Sequence, residues 1–144
     1  MLRRRQFLVA SFALTFSVMG CAAAAEKKVA ALCLDRHFSA LKSRTFETAL
    51  ADYDKHFFSE VTRAEWRVAL VSVVDKLGSF QRYKITSSGL SSKEVAGPGY
   101  YLRFQLAVTY SKHPSDETFY LFRKEGSKRY KIVGHQIDAD GLNK

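Results

Sequence analysis

The sequence predicts a single α+β domain in which N-terminal helices pack on a curved, four-stranded antiparallel sheet. Two observations support this fold class. Apolar residues recur every three or four positions as far as Leu77, which is the period of an amphipathic helix, and every second position beyond Gly78, which is the period of a strand. Helices that precede a run of strands, instead of alternating with them, indicate an α+β architecture.

The first part of the chain has the layout of a signal peptide. Three arginines at positions 3–5 precede an apolar run over residues 7–19, small residues follow as far as Ala25, and no acid is present. The apolar run is too short to span a bilayer, which takes about 20 apolar residues. We therefore expect residues 1–25 to be removed on export and residues 26–144 to form one mature domain in the periplasm or on an envelope membrane.

Two processing sites overlap at the end of this segment. Residues 18–21 resemble a lipobox, in which Cys21 would carry a lipid and anchor the protein to the membrane. Residues 23–25 equally supply the small-x-small pattern of ordinary signal peptidase, with Glu26 as the new terminus. We favour the lipoprotein and keep the soluble form as the alternative. Residues 4–8 also resemble the twin-arginine export motif, which we rank below the general secretory route.

Cysteine count and charge narrow the class of protein further. The mature chain holds Cys33 and, on the lipoprotein route, a lipidated Cys21, so it has no pair of free thiols for an intramolecular disulfide. The whole chain has a net charge of +9, and the mature part stays basic without the signal arginines. A basic surface in the envelope suits anionic lipid headgroups. We do not expect nucleic acid as a partner of an exported protein.

A helical hairpin is predicted at the start of the mature domain. The first helix covers residues 28–42, and the second covers residues 46–53 with Thr45 as its N-cap. The apolar stripe of the first helix consists of Ala31, Leu34, Phe38 and Leu41. Cys33 lies beside that stripe, where a cysteine is usually a small buried apolar residue and not a nucleophile.

A capping box gives the strongest local signal. The Thr62 hydroxyl can accept from the N–H of Glu65, while the Glu65 carboxylate accepts from the N–H of Thr62. A third helix therefore begins here, with Trp66 on its apolar stripe. Gly78 supplies the left-handed residue that ends it.

Four strands account for the rest of the chain. They are predicted over residues 82–86, 100–110, 117–124 and 129–138. Residues 97–99 and 113–116 form turns, and residues 125–127 form a hairpin connection. In the long second strand, Tyr100 and Phe104 share the dry face, and Gly134 predicts a bulge in the last strand.

The order of these elements resembles a known family. A helical hairpin, a capped helix that carries Trp66 and ends at Gly78, and the closing residues 129–134 are similar to small exported proteins of the 4019-type domain of unknown function. That group resembles the nuclear-transport-factor-2-like, cystatin-like superfamily, so the resemblance implies a cone-shaped fold over residues 31–137. The superfamily hosts enzymes, carrier domains and parts of secretion machines, and it therefore implies no single function.

We expect neither a metal site, nor a cofactor, nor catalytic residues. The four histidines are widely spaced, and none pairs with a cysteine or an acid at metal-ligand spacing. The sequence has no nucleophile elbow, phosphate-binding glycine loop or dinucleotide fingerprint. Glu117 and Asp138 fall at the ends of predicted strands, so no acid is expected inside the cone. Without a buried acid, we favour a protein that is not an enzyme.

The residues that we expect to line a ligand pocket are aromatic or polar side chains near the inside of the cone. They are Trp66, Tyr83, Tyr120 and His135. The expected function is non-catalytic binding of a partner protein or a small apolar ligand in the envelope. Two alternatives remain open, which are a pocket enzyme similar to ketosteroid isomerase and a basic module that docks on anionic lipid or a secretion complex.

The amount of apolar material decides between these functions. Side chains such as Phe104, Tyr110 and Trp66 are enough to fill the cone, and a filled cone has no room for a substrate. We therefore expect binding through the outer surface. An open cavity lined by Tyr83, Tyr120 and His135 would instead favour a carrier or an enzyme.

Overall fold

The computed structural model describes residues 14–92 and 94–143, and of residues 14–22 it describes the backbone alone. The arginines at positions 3–5 and the twin-arginine-like motif at 4–8 lie outside the described residues. The helices are α1 (Leu14–Lys42), α2 (Phe46–Leu50) and α3 (Arg63–Leu77), and the strands are β1 (Phe80–Leu90), β2 (Gly99–Tyr110), β3 (Pro114–Lys124) and β4 (Lys131–Asp138). In the described part of the chain, we find no helix with the length and apolar character needed to cross a membrane.

The four strands form one open, curved antiparallel sheet in the order β1-β2-β3-β4. The predicted α+β fold, with helices followed by a four-stranded meander, is therefore confirmed. One face of the sheet packs against the helices and carries alternate residues of the two central strands. The largest of these buried residues are Phe104, Leu106, Phe119 and Leu121.

The third helix begins and ends where the sequence predicts. Both hydrogen bonds of the capping box are present, from Glu65 N to the Thr62 hydroxyl at 3.1 Å and from Thr62 N to the Glu65 carboxylate at 2.9 Å. Gly78 follows the helix with φ +94°, and a Cβ atom there would lie 2.1 Å from the Ser111 hydroxyl oxygen. Only glycine fits this position without strain, because both its φ angle and its surroundings exclude a side chain.

The N-terminal helices differ from the prediction in length. Helix α1 is continuous from Leu14, so it extends through the end of the predicted signal peptide, and α2 ends at Leu50 instead of Tyr53. Thr45 does not cap α2 with its side chain; its hydroxyl donates to Ala40 O at 3.2 Å instead. The hydroxyl thus bonds to the end of α1, so the predicted N-cap is wrong.

The third strand is longer than predicted. It begins at Pro114, where the sequence predicts a turn. A proline is compatible with the first residue of a strand. Glu117 therefore lies within β3, opposite Leu106 of β2 and Ile137 of β4. Its side chain is fully buried. The expectation that no acid lies inside the domain is wrong.

A bulge interrupts the pairing of β3 and β4 next to Gly134. Leu121 pairs with Ile132 and Tyr120 with Gly134, so Val133 is the extra residue. A Cβ atom on Gly134 would lie 2.8 Å from the ring of Tyr120. The glycine thus lets the Tyr120 ring approach the backbone of β4.

The interior is well filled, as expected from the sequence, but the position of one side chain differs from the prediction. Phe104, Tyr110 and Phe119 are buried in one continuous core with residues of all three helices. Tyr100, predicted to lie on the dry face of β2, is 50% exposed instead. Outside this filled interior, a cavity lies at the edge of the sheet beside β4.

Candidate functional site

A cavity of about 450 Å³ lies beside the edge strand β4. Its apolar lining consists of Phe57, Val61, Trp66, Val95 and Val133, and its polar lining includes His56, Glu60, Tyr120 and Gln136. Four consecutive residues of β4, 133–136, form one side. The mixture of an aromatic wall with a few polar groups is typical of sites that bind small molecules.

The opposite side of the cavity is attached to β4 by backbone pairing. Ile132 N donates to Asp52 O, and Asp54 N donates to Ile132 O, each at 2.8 Å. Asp54 then fixes His56, accepting from its backbone N–H at 2.9 Å and lying 2.6 Å from its Nδ1. These bonds hold the short 3₁₀ helix Phe57–Ser59 next to the cavity. The walls are thus preformed.

A buried polar network lies behind the cavity, centred on Glu117. The hydroxyls of Tyr110 and Ser115 each donate to its Oε1 at 2.8 Å, and His135 Nε2 lies 2.8 Å from its Oε2. With Glu117 ionised, Nε2 of His135 carries the proton that it donates, and Nδ1 then accepts from the Tyr53 hydroxyl at 2.7 Å. Three donors on one carboxylate offset the cost of burying it.

Burial also raises the pKa of the two tyrosines in this network. For Tyr53 and Tyr110, removal from water is the largest cause, and the nearby Glu117 carboxylate raises the pKa further. Both phenols therefore stay protonated at neutral pH and act as hydrogen-bond donors. The network is fully satisfied without a ligand.

His37 on α1 is buried beside this network, but neither of its ring nitrogens has a hydrogen-bond partner in the described part of the chain. It packs edge-on against the rings of Tyr53, Phe119 and His135. Burial, followed by the neighbouring His135, holds the pKa of His37 well below its usual value. His37 is therefore a neutral imidazole at physiological pH.

Of the four predicted pocket residues, three lie at the cavity. Trp66, Tyr120 and His135 line it, although the imidazole of His135 is 0% exposed. Tyr83 lies elsewhere. It is on β1, at the other edge of the sheet, and its hydroxyl donates to Asp35 of α1 at 2.5 Å.

The sequence did not predict that Glu117 and Tyr53 belong to this network or that His37 packs against it. The sequence did contain a signal that Glu117 is buried. If the strand begins at Pro114, positions 115, 117, 119 and 121 share one face, so Glu117 lies on the same side as Phe119 and Leu121. His37 and Tyr53 follow the helical stripes in the sequence but carry no pattern that shows which residues surround them.

The described residues include no group of three or more His, Cys, Asp or Glu side chains placed to hold a metal ion. Cys33 is buried, as predicted, and burial raises the pKa of its thiol to about 12. The thiol therefore stays protonated and is a poor nucleophile. Trp66, which lines the cavity, has its ring centre 5.6 Å from that of His135 and so packs against the network.

Comparison with known proteins gives no relative. No protein-family model, no curated protein and no solved structure matches the chain. The function therefore has to be argued from the site itself.

Proposed function

We propose that this domain is a non-catalytic binding protein of the bacterial envelope, and that its ligand is a small, partly apolar molecule held in the cavity beside β4. The observation that carries the proposal is the cavity itself. Its volume of about 450 Å³ is within the range of small-molecule sites, roughly 300–1,000 Å³. Its aromatic wall would contact an apolar ligand body, while Gln136 offers hydrogen bonds to a polar end.

The state of three titratable groups, Glu117, His135 and His56, favours binding over catalysis. Glu117 and His135 are fully buried, and their hydrogen-bonding atoms already have partners. His56, which does line the cavity, is paired with Asp54. A general acid or base needs to reach the proton that it transfers, and none of these groups is free to do so in this conformation.

The envelope location and the likeness to cone-shaped superfamily domains are part of the same proposal. The signal-peptide layout of residues 1–25 supports the location. Three helices followed by a curved four-stranded meander support the likeness. A small ligand, and not a partner protein, is the occupant that a cavity of this size fits best.

Fluorescence of Trp66 tests the proposal, because Trp66 is the only tryptophan of the chain and lines the cavity. Anilinonaphthalenesulfonate, an apolar dye with one charged group, is the probe. We expect saturable binding with energy transfer from Trp66. Val133→Phe, which adds bulk to the cavity, should weaken dye binding at least tenfold.

The matched control is Ile85→Phe, which adds the same aromatic ring to β1 at the far edge of the sheet. This variant should bind the dye as the parent protein does. Equal affinity for all three proteins, or binding that does not saturate, would contradict a ligand site in this cavity.

A pocket enzyme is the second candidate, and one observation favours it. Glu117 was predicted to lie at a strand end but is a buried acid, and buried carboxylates can act as general bases. Its side chain is 0% exposed, so a substrate could reach it only if the surrounding side chains moved. Mass spectrometry of a ligand extracted from the protein separates the two functions: a binding protein returns the ligand unchanged, whereas an enzyme converts it.

A further inference from the structure

The start of the mature domain is bound to the hairpin between β3 and β4. Arg123 donates to both carboxylate oxygens of Glu26, at 2.6 Å and 3.3 Å, and the Tyr130 hydroxyl donates to the same carboxylate. These bonds hold the pKa of Glu26 below its usual value, with Tyr130 as the largest cause. The ion pair between Glu26 and Arg123 joins residues 97 positions apart in the chain. It therefore holds α1 against the hairpin at this end of the molecule.

Five lysines lie within five positions of Glu26, Arg123 or Tyr130 in the chain, and we call them the basic end. They are Lys27 and Lys28 on α1 and Lys124, Lys128 and Lys131 on the hairpin. None of them forms an ion pair with another residue that the structure describes. The acids at the same end are Glu26, which Arg123 neutralises, Glu125, and Glu94 in the connection between β1 and β2. The basic end thus carries unneutralised positive charge.

Exposed apolar side chains accompany these charges. Val29 and Leu32 on α1 are 38% and 56% exposed, and they lie three residues apart on one side of the helix. Tyr100, which pairs with Arg123 across β2 and β3, is half exposed under the Arg123 guanidinium, 4.2 Å from its ring centre. Lysines next to exposed aliphatic and aromatic side chains are typical of protein surfaces that lie on membranes.

The path of the chain also supports a membrane contact at the basic end. The backbone of α1 continues as a helix beyond Glu26 as far as Leu14, so the preceding segment leaves the domain at the basic end. Cys21, the expected site of lipid attachment, is five residues before Glu26, which corresponds to about 7.5 Å along a helix. A membrane that holds this segment would lie next to the lysines.

We propose that the basic end docks on a bilayer surface that contains anionic phospholipid. The lysines attract the phosphate headgroups, and Leu32 and Tyr100 enter the interfacial region. Docking of this kind would orient the domain relative to the membrane independently of the ligand in the cavity. Because the attraction is electrostatic, it weakens as the salt concentration rises.

Vesicle sedimentation tests this proposal. The protein is expressed as the full chain with Cys21→Ala, so that no acyl chain contributes, and its processed form is purified from the envelope. We expect binding to vesicles of phosphatidylcholine with phosphatidylglycerol, and little binding to phosphatidylcholine alone. The double variant Lys124→Glu/Lys128→Glu should lower the affinity for anionic vesicles at least tenfold.

The matched control is Arg82→Glu/Lys84→Glu, which makes the same change in net charge on exposed residues of β1, far from the basic end. Its affinity should stay within about threefold of the parent, since the contact is local and distant charges are screened. Equal losses for the two double variants would overturn the proposal, because net charge and not the basic end would then govern binding. Absence of binding to the anionic vesicles, or equal binding to the two kinds of vesicle, would overturn it as well.

Discussion

Single buried polar residues of the core differ in how well they are compensated. Glu117 receives three hydrogen bonds, and its partner His135 uses both ring nitrogens. His37, one ring away, has no hydrogen-bond partner for either nitrogen among the described residues. A neutral imidazole without partners is tolerable in an aromatic environment, but a charged one would be very costly there. His37 is therefore the residue through which acid should destabilise the fold.

His37 gives a pH dependence with a defined sign. Its pKa in the folded protein lies well below 6.5, so below pH 6.5 the unfolded chain binds a proton that the folded protein does not. The folded protein keeps the full stability contributed by the neutral imidazole above pH 6.5. It loses this stability as the pH falls from 6.5 toward the lower pKa of the folded state. Between pH 7 and pH 5, the free energy of unfolding should therefore fall by about 2 kcal/mol more in the parent than in His37→Phe.

Urea unfolding at the two pH values measures this difference. Cys33→Ala is the control, because it alters a buried neighbour on α1 whose pKa, about 12, keeps it neutral at both pH values. It should lower stability equally at pH 5 and pH 7. If His37→Phe kept the full pH dependence of the parent, protonation of His37 would not be the cause.

At the scale of the elements, boundaries were predictable where a local motif defines them. Thr62 and Glu65 mark the start of α3 in the sequence, because the two hydrogen bonds between them form without any tertiary contact. The start of β3 at Pro114 and the end of α2 at Leu50 have no such motif. They depend on neighbours, because Pro114 pairs with Thr109 of β2 and the chain after α2 bonds to β4. Tertiary pairing thus overrode the local turn signal.

The capping box gives a prediction for α3. Thr62→Ala removes the hydroxyl that accepts from Glu65 N, so the free energy of unfolding should fall by about 0.5–2 kcal/mol. Thr48→Ala, in α2, is the matched control, since Thr48 is exposed and caps no helix. Chemical denaturation of the three proteins gives the values. A Thr62→Ala protein as stable as the parent would mean that the cap contributes nothing to folding.

For the whole molecule, the change of period from helix to strand was enough to predict the fold class. It was not enough to predict the site. In a meander, β1 and β4 lie at opposite edges, so Tyr83 on β1 could join His135 on β4 only if the sheet closed. The open sheet separates them, and the cavity forms instead where the segment at Asp54–Phe57 meets β4. That contact joins residues about 80 positions apart, and no local pattern encodes it.

The arrangement at Glu26 bears on how the whole molecule is processed, and it favours the lipoprotein. Cleavage before Glu26 would place a free ammonium at the start of α1, next to Lys27, Lys28 and Arg123 and at the positive end of the helix dipole. Cleavage before Cys21 leaves a further turn of helix, whose carbonyls pair with the N–H groups that follow. We therefore expect the mature protein to begin at an acylated Cys21.

Intact-mass analysis of protein purified from the native envelope measures where the mature chain begins. A mass that corresponds to residues 21–144 plus acyl chains is the expected result. In a Cys21→Ala control, the acylated species should disappear and the protein should be released from the membrane fraction by high salt, because only the electrostatic contact of the basic end would remain. An unmodified chain that begins at Glu26 in the parent would contradict the lipoprotein, and an uncleaved chain in the cytoplasm would contradict export altogether.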